Sequence, residues 1–245
     1  MQGDEILKVQ IVVPIISDIF NEEVLTETSQ FKAPDMEIDV VNIDKGPVSI
    51  ESRYDDTLAA YNTIDKVVQA EKDGFDGVLI DCFGDPGVEA SRELVRIPVV
   101  GGFQPAALTA SLIASKWSVV SVLPNVIPMI SDLARKLGIE SNIASIRHIN
   151  TTVLELQDKN IVQERLLTSM IKAVEQDGAE AIVLGCTGML GMAQYLSEQM
   201  TARGTPVPVV DPTATAIGYL ELLIRSRLSQ SQLTYQFPPI KERRF

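Results

Sequence analysis

The stretch "GFDGVLIDCFGDP" runs from Gly74 to Pro86, and "GAEAIVLGCTGML" runs from Gly178 to Leu190. Each has a glycine, an acidic residue, an apolar run, and a cysteine followed by a glycine two residues on. A short apolar run bounded by turn residues reads as a buried strand. The cysteines, Cys82 and Cys186, are the only two in the chain, and each falls at the carboxyl end of its predicted strand.

Working outward, strand-length apolar runs alternate with longer amphipathic stretches. Strands are predicted at Val9 to Ile15, Glu37 to Ile43, "GVLIDCF" and "IPVVG", and then again at "WSVVSVL", "SIRHI", "AIVLGC" and "PVPVV". Helices are predicted at Glu22 to Gln30, Tyr54 to Gly74, "PGVEASRELV", the segment opened by Pro105, Ile127 to Leu137, Asn160 to Gln176, and "PTATAIGYLELLIRSRL". In the helix from Tyr54, residues Leu58, Tyr61, Ile64, Val67 and Val68 recur at helical spacing and predict its inward face. Such alternation predicts parallel sheets with crossover helices.

The pattern restarts halfway, as an internal repeat. Pro14 and Pro124 both end a first strand, and "PVVGGFQPAALTAS" at Pro98 answers "PVVDPTATAIGY" at Pro208 with the same offset. Together with the cysteine segments, three elements line up in one order. The reading is an α/β protein of two similar parallel-sheet units. Residues 1–105 plus 212–245 form one unit and residues 106–211 the other, with a cleft between them.

The composition narrows the partners. The chain of 245 residues is 45% hydrophobic and 22% charged, with a net charge of -12. An acidic surface argues against nucleic acid and anionic membrane. The apolar stretches are strand-length, too short to span a bilayer. The N-terminal "MQGDEILK" lacks a basic region followed by an apolar one, so no secretion signal is expected. A cytoplasmic setting with free thiols is the corresponding expectation.

Ligands of open α/β sheets bind outside the carboxyl ends of the strands, where both cysteines sit. The small residues Gly84, Thr187 and Gly188 leave backbone N–H groups to cradle an anionic oxygen, and those groups favour a thiolate. Two thiols facing each other across a cleft suit 1,1-proton transfer. One takes a proton from one face of a carbon and the other delivers one to the opposite face. Adjacent carbonyls that acidify the hydrogen make a metal or organic cofactor unnecessary.

Blander readings apply to several residues. A free cysteine is commonly a small buried hydrophobe, but the matched settings of Cys82 and Cys186 argue otherwise. A structural disulfide needs an oxidising compartment. Zinc lacks its ligands, since there is no CxxC and His148 is the only histidine. Trp117 reads as core, Asp85-Pro86-Gly87 as a turn, and Asp55-Asp56 as acidic residues that favour a helix start.

These residues carry a resemblance. "GPVSIESRYDD" (Gly46 to Asp56), "DCFGDPGVEASRELVRIPVVG" (Asp81 to Gly101), "WSVVSVLPNVIP" (Trp117 to Pro128), "DGAEAIVLGCTGM" (Asp177 to Met189) and "TYQFPPIK" at the C-terminal end resemble the Asp/Glu/hydantoin racemase superfamily, and within it the hydantoin and allantoin racemases. The resemblance implies two flavodoxin-like units related by a pseudo-twofold axis, a cofactor-independent two-base mechanism, a small-molecule substrate and a homo-oligomer. It implies catalytic roles for Cys82 and Cys186. It implies substrate-binding roles for Pro14, Ile15, Phe83, Gly84, Ser121, Thr187 and Gly188.

Two departures stand out. Relatives usually end the first strand with Asn-Pro-Asn-Thr, where this chain has Val13-Pro14-Ile15-Ile16. They usually carry an acidic residue near Gln104. The first departure makes one wall of the cleft apolar. A cyclic ureide, such as a 5-substituted hydantoin or allantoin, is the expected substrate. The alternatives are an aspartate- or glutamate-type racemase, and a non-catalytic small-molecule binding protein. Arylmalonate decarboxylases share the fold but use one cysteine; maleate isomerases use two and differ in motif wording.

Overall fold

A computed structural model describes residues 6–243; part of the N-terminal stretch behind the absence-of-signal expectation lies outside them. Among the described residues eight strands form two four-stranded parallel sheets. The first contains β1 (Leu7–Val13), β2 (Met36–Asn42), β3 (Gly77–Ile80) and β4 (Val99–Gly101), and the second contains β5 (Trp117–Ser121), β6 (Ile143–His148), β7 (Ala181–Leu184) and β8 (Val209–Val210). Their orders are β2-β1-β3-β4 and β6-β5-β7-β8, the same topology twice. The order reverses beside β1 and β3 in one sheet, and beside β5 and β7 in the other. That is where an open sheet leaves a crevice at its carboxyl edge.

The register repeats as well. Ile80 of β3 is the last residue paired with β1, opposite Val12, and Leu184 of β7 is the last paired with β5, opposite Val120. Each cysteine stands two residues past that point. β3 and β7 are buried along their whole length. A continuous apolar run, rather than an alternating one, is what a strand covered on both faces requires.

Among the described residues seven α-helices lie between the strands, α1 (Asn21–Phe31), α2 (Arg53–Lys72), α3 (Val88–Arg92), α4 (Phe103–Ile113), α5 (Ile127–Lys136), α6 (Lys159–Asp177) and α7 (Ala193–Ala202), and α8 (Pro212–Arg225) follows the last strand. α7 has no counterpart among the sequence expectations, although a parallel β7–β8 pair demands a crossover. It buries only Leu196 and Met200, a stripe too narrow to stand out. The inward face of α2 also differs from expectation. Leu58 and Tyr61 are exposed, and the helix buries Ala59, Thr63, Val67 and Ala70. Small residues let the helix axis approach the sheet closely, so the bulky side chains are turned outward.

α4 packs on β7 and β8 as well as on β4, and α8 packs on β3, β4 and α1. We propose on these contacts that α4 belongs with the second unit and α8 with the first. One apolar core runs through both units, from Val9 and Ile11 through Phe103 and Trp117 to Leu184 and Leu220, and a second lies between the first sheet and α2. Among the described residues no helix is long and apolar enough to cross a membrane.

Glycine holds the second cysteine's approach. A Cβ on Gly185 would lie 2.6 Å from Ser121 Cβ and 2.7 Å from Val119 Cγ1, both on the neighbouring strand β5. Backbone and short branched side chains cannot swing aside. Gly185→Ala is therefore expected to destabilise the protein by about 1–3 kcal/mol. Gly191→Ala, with nothing within 4 Å but a φ of +70°, is expected to cost less, about 1 kcal/mol. Chemical denaturation of the two variants checks the ranking.

Candidate active site

The site is built where the two carboxyl edges meet. Asp81 N–H donates to Val12 O at 2.9 Å, and Gly185 N–H donates to Val120 O at 2.8 Å. These bonds end the strands at matched positions and turn Cys82 and Cys186 off the sheets. Both cysteines are half-buried and free. Both line the same two adjoining cavities, each of about 50 Å³.

The first cavity is walled by Val13, Pro14, Ile15, Phe20, Ile50, Val153 and Leu190, with Asp81, Thr187 and Gly188 beside the cysteines. The second is walled by Phe83, Gly84, Ser121, Val122, Val126, Met129 and Ile130, with Ile50 and Thr187 shared. All seven expected binding residues thus line one cavity or both. Ile16 does not. It is exposed, and its N–H donates to Pro47 O at 3.1 Å, so the apolar wall consists of Val13, Pro14 and Ile15. Sequence reasoning missed Phe20, Ile50, Val153 and Leu190, which come from connections around the cleft. It also missed Val126 and Met129. These follow the β5 edge much as Ile15 and Phe20 follow β1, so the repeat itself held that signal.

The two sulfurs are held alike. Gly84 N–H donates to Cys82 Sγ at 3.4 Å, and Gly188 N–H donates to the Cys186 sulfur. A Cβ on Gly84 would lie 3.7 Å from Cys82 Sγ, and one on Gly188 would lie 3.6 Å from Cys186 Sγ. Those are ordinary contact distances; the tighter contacts a Cβ would meet, 3.0 Å in each case, are with Asp56 Oδ1 at Gly84 and with Leu156 Cδ1 at Gly188. Thr187 Oγ1 donates to Asp81 O at 3.1 Å, tying the two cysteine segments together, and Ser121 Oγ donates to Gly185 O at 2.7 Å.

The expected thiolate is not the resting form. Burial pushes the Cys186 thiol up to about 12, and it raises Cys82 well above the usual thiol range. The Gly84 and Gly188 amides pull the other way but do not win, because one N–H dipole offsets only part of the cost of burying a charge. Helix termini contribute little here. α3 has only five residues, and α7 begins several residues after Cys186.

Carboxyl groups crowd the base of the site. Burial pushes Asp81 up to about 7, against the hydrogen bond it accepts from Thr213 Oγ1 at 2.9 Å. Glu27 is pushed up to about 8 by burial and by Asp211, to which it is hydrogen-bonded. Asp85 also does more than make a turn. Its Oδ1 accepts from Phe103 N–H at 2.9 Å at the start of α4. His148 is exposed, away from both cavities.

Comparison with known proteins places this geometry. The model of the family described as Asp/Glu/Hydantoin racemase matches residues 17–220. The chain belongs to the Asp/Glu/hydantoin racemase family. It is 35% identical to a hydantoin racemase of Paenarthrobacter aurescens over 239 residues, which is 96% of this chain and 99% of the relative. The solved allantoin racemase of Pseudomonas fluorescens superposes with a TM-score of 0.91 at 31% identity, covering 98% of this chain and 100% of that one. The allantoin racemase of Klebsiella pneumoniae gives 0.90 at 32%, covering 96% and 95%. This family member is accordingly an isomerase of the racemase class, and the binding-protein alternative falls away.

Proposed function

We propose that this racemase inverts the C5 centre of a 5-substituted hydantoin by two-base proton transfer between Cys82 and Cys186. The observation that carries the reading is that one cysteine from each half lines the same pair of cavities, each with a glycine amide on its sulfur. In the reaction one sulfur, as thiolate, removes the C5 proton. The electron pair moves onto the ring carbonyl as an enolate. The other sulfur, as thiol, protonates the opposite face. The sulfurs exchange roles, and the next turnover runs the other way. The backbone amides of Phe83 and Thr187, beside the cysteines, are offered to the enolate oxygen, where fixed dipoles act most strongly in a water-poor site. No cofactor is required, because the ring carbonyl already acidifies the proton. A homo-oligomer and a cytoplasmic location belong to the same proposal.

The wall chemistry supports a cyclic ureide over an acidic amino acid. None of the residues lining the two cavities is Lys, Arg or His, and the one charged residue is Asp81. A substrate with two carboxylates would be buried there without a cationic partner, which is costly. A ring with an apolar substituent meets apolar walls. The reading is tested by following optical rotation with single enantiomers of benzyl- and isobutyl-hydantoin, allantoin and aspartate. Loss of rotation is expected for the hydantoins and not for aspartate. Turnover of aspartate alone would overturn it.

A further inference from the structure

The loops that carry the two cysteines make the same turn but are fastened differently. Asp85 N–H donates to Cys82 O at 3.2 Å, and Met189 N–H donates to Cys186 O at 3.1 Å. Asp85 and Met189 therefore hold matching places, three residues past each cysteine. One carries a carboxyl group and the other a thioether. The helices that follow differ in turn. α8 caps itself, with Asp211 Oδ1 accepting from Ala214 N–H at 2.9 Å. α4 has Gly102 as its N-cap, with no side chain to offer. Asp85 Oδ1 supplies the cap instead, accepting from Phe103 N–H at 2.9 Å.

Other contacts join the Cys82 loop to the start of α4. Gly102 N–H donates to Cys82 O at 3.2 Å, and the Phe83 ring stands edge-on to Phe103 with centroids 5.3 Å apart. Gly101 leaves room for the carboxyl group, since a Cβ there would lie 2.2 Å from Asp85 Oδ1. The arrangement is costly. Asp85 has a φ of +53°, a region that non-glycine residues seldom enter, and a residue before proline is normally extended. Its Oδ2 is buried without a hydrogen-bond partner among the described residues, which costs further stability. α4 leads from the first sheet into β5 and packs on β7. A loop fixed to its N-terminus is therefore fixed relative to the strand that carries Cys186.

We propose that Asp85 is a positioning residue for Cys82: by capping α4 it holds the Cys82 sulfur at a set distance from the second sheet, and so from Cys186 across the substrate. Met189 gives the Cys186 loop no equivalent acceptor. The inference rests on the two-cysteine reading and deepens it. Proton transfer on opposite faces needs both sulfurs within reach of one carbon, and a misplacement of about 1 Å costs on the order of 100-fold in rate.

The carboxyl group acts as an acceptor, not through its charge. Burial pushes Asp85 up to about 7, against the Phe103 amide and Arg92. Cys82 is raised mainly by burial, and the Asp85 charge adds to that, so the charge itself does not favour the thiolate. Asparagine keeps an acceptor oxygen at the same reach, tolerates a positive φ and removes the charge. Glycine adopts the same φ freely and has no acceptor. Comparing these two substitutions separates the tether from both the turn and the charge.

The test alkylates the full chain with iodoacetamide at one fixed pH and reads the Cys82 and Cys186 peptides separately by mass. Only thiolate reacts. Burial chiefly holds the Cys82 thiol up, so a loop released from α4, which admits water, should react faster. Cys82 is expected to react about tenfold faster in Asp85→Gly than in Asp85→Asn, while Cys186 stays within about twofold. Gly101→Ala, whose added methyl displaces the carboxyl group with Asp85 still present, should give the same selective rise over the unsubstituted protein. Equal Cys82 rates in Asp85→Gly and Asp85→Asn overturn the proposal, and so does a rise shared by both cysteines. These outcomes need no substrate, so they stand apart from whether hydantoins are turned over. In racemisation of benzyl-hydantoin, Asp85→Gly should lower kcat/KM about 10–100-fold, and Asp85→Asn should keep it within about threefold of the unsubstituted protein. A kcat/KM that is the same in the two variants would overturn the tether as well.

Discussion

Replacing either Cys82 or Cys186 by serine is expected to lower racemisation of a 5-substituted hydantoin by about 10²–10⁴-fold, with folding intact. Serine nearly matches cysteine in volume, and both positions are half-buried rather than packed through. Serine is a far weaker acid than a thiol, so neither its alkoxide nor its hydroxyl exchanges protons with a ring carbon at a useful rate. The two losses should be equal in racemisation yet opposite in handedness. Each single variant keeps a base on one face, and should still exchange the C5 hydrogen of one enantiomer. Kinetics with both enantiomers, beside thermal denaturation, checks this. Full racemase activity in either variant would contradict the mechanism.

Exchanging Ile15 for asparagine is expected to raise the preference for allantoin over benzyl-hydantoin by roughly tenfold to over a hundredfold in the ratio of kcat/KM. Ile15 is buried and lines the first cavity with Val13 and Pro14. The ureido arm of allantoin carries donors and acceptors that find no partner against this wall. An unpaired polar group so buried costs about 1–3 kcal/mol, and a benzyl group pays no such penalty. Ile16→Thr serves as the control. Ile16 is exposed and outside the cavity, so it should leave the ratio where it was. Using a ratio for each protein cancels any loss of active enzyme. An unchanged ratio in Ile15→Asn, or a natural preference for allantoin, would remove the apolar wall as a determinant of specificity.

The cysteine pair was legible in the sequence because a repeat places equivalent residues at equivalent register, and two copies of one topology do the rest. The strands were legible for a related reason. β3 and β7 are covered on both faces, so their apolar runs are unbroken, and in β1 and β5 only Lys8, Gln10, Ser118 and Ser121 interrupt the apolar residues. The faces of helices were less legible. Leu58 and Tyr61 keep helical spacing, yet the sheet receives Ala59, Thr63, Val67 and Ala70, because close approach favours small side chains over hydrophobic ones. The proton state of the cysteines was misjudged, since local motifs reveal the amide donors but not how dry the cleft is. Asp56 was read with Asp55 as part of an acidic helix start, and its burial beside Gly84 was not legible. Of two adjacent carboxylates at a helix start, only the tertiary packing decides which one, here Asp56, turns inward.

The central claim is that two sulfurs work from opposite faces of one carbon. Its most direct test is a short incubation of a single enantiomer of benzyl-hydantoin in deuterium oxide, corrected for uncatalysed exchange, with deuterium measured separately in the product enantiomer and in the recovered substrate. Two bases predict that newly formed product carries deuterium at C5 while recovered substrate carries almost none. The acid that delivers the second proton has exchanged with solvent, and the base that took the first returns little of it to the same face. Equal deuterium in both enantiomers from the earliest time would mean a single base serving both faces. Inversion with no deuterium in the product would mean that solvent-exchanged thiols take no part. Either result would contradict the assignment of Cys82 and Cys186.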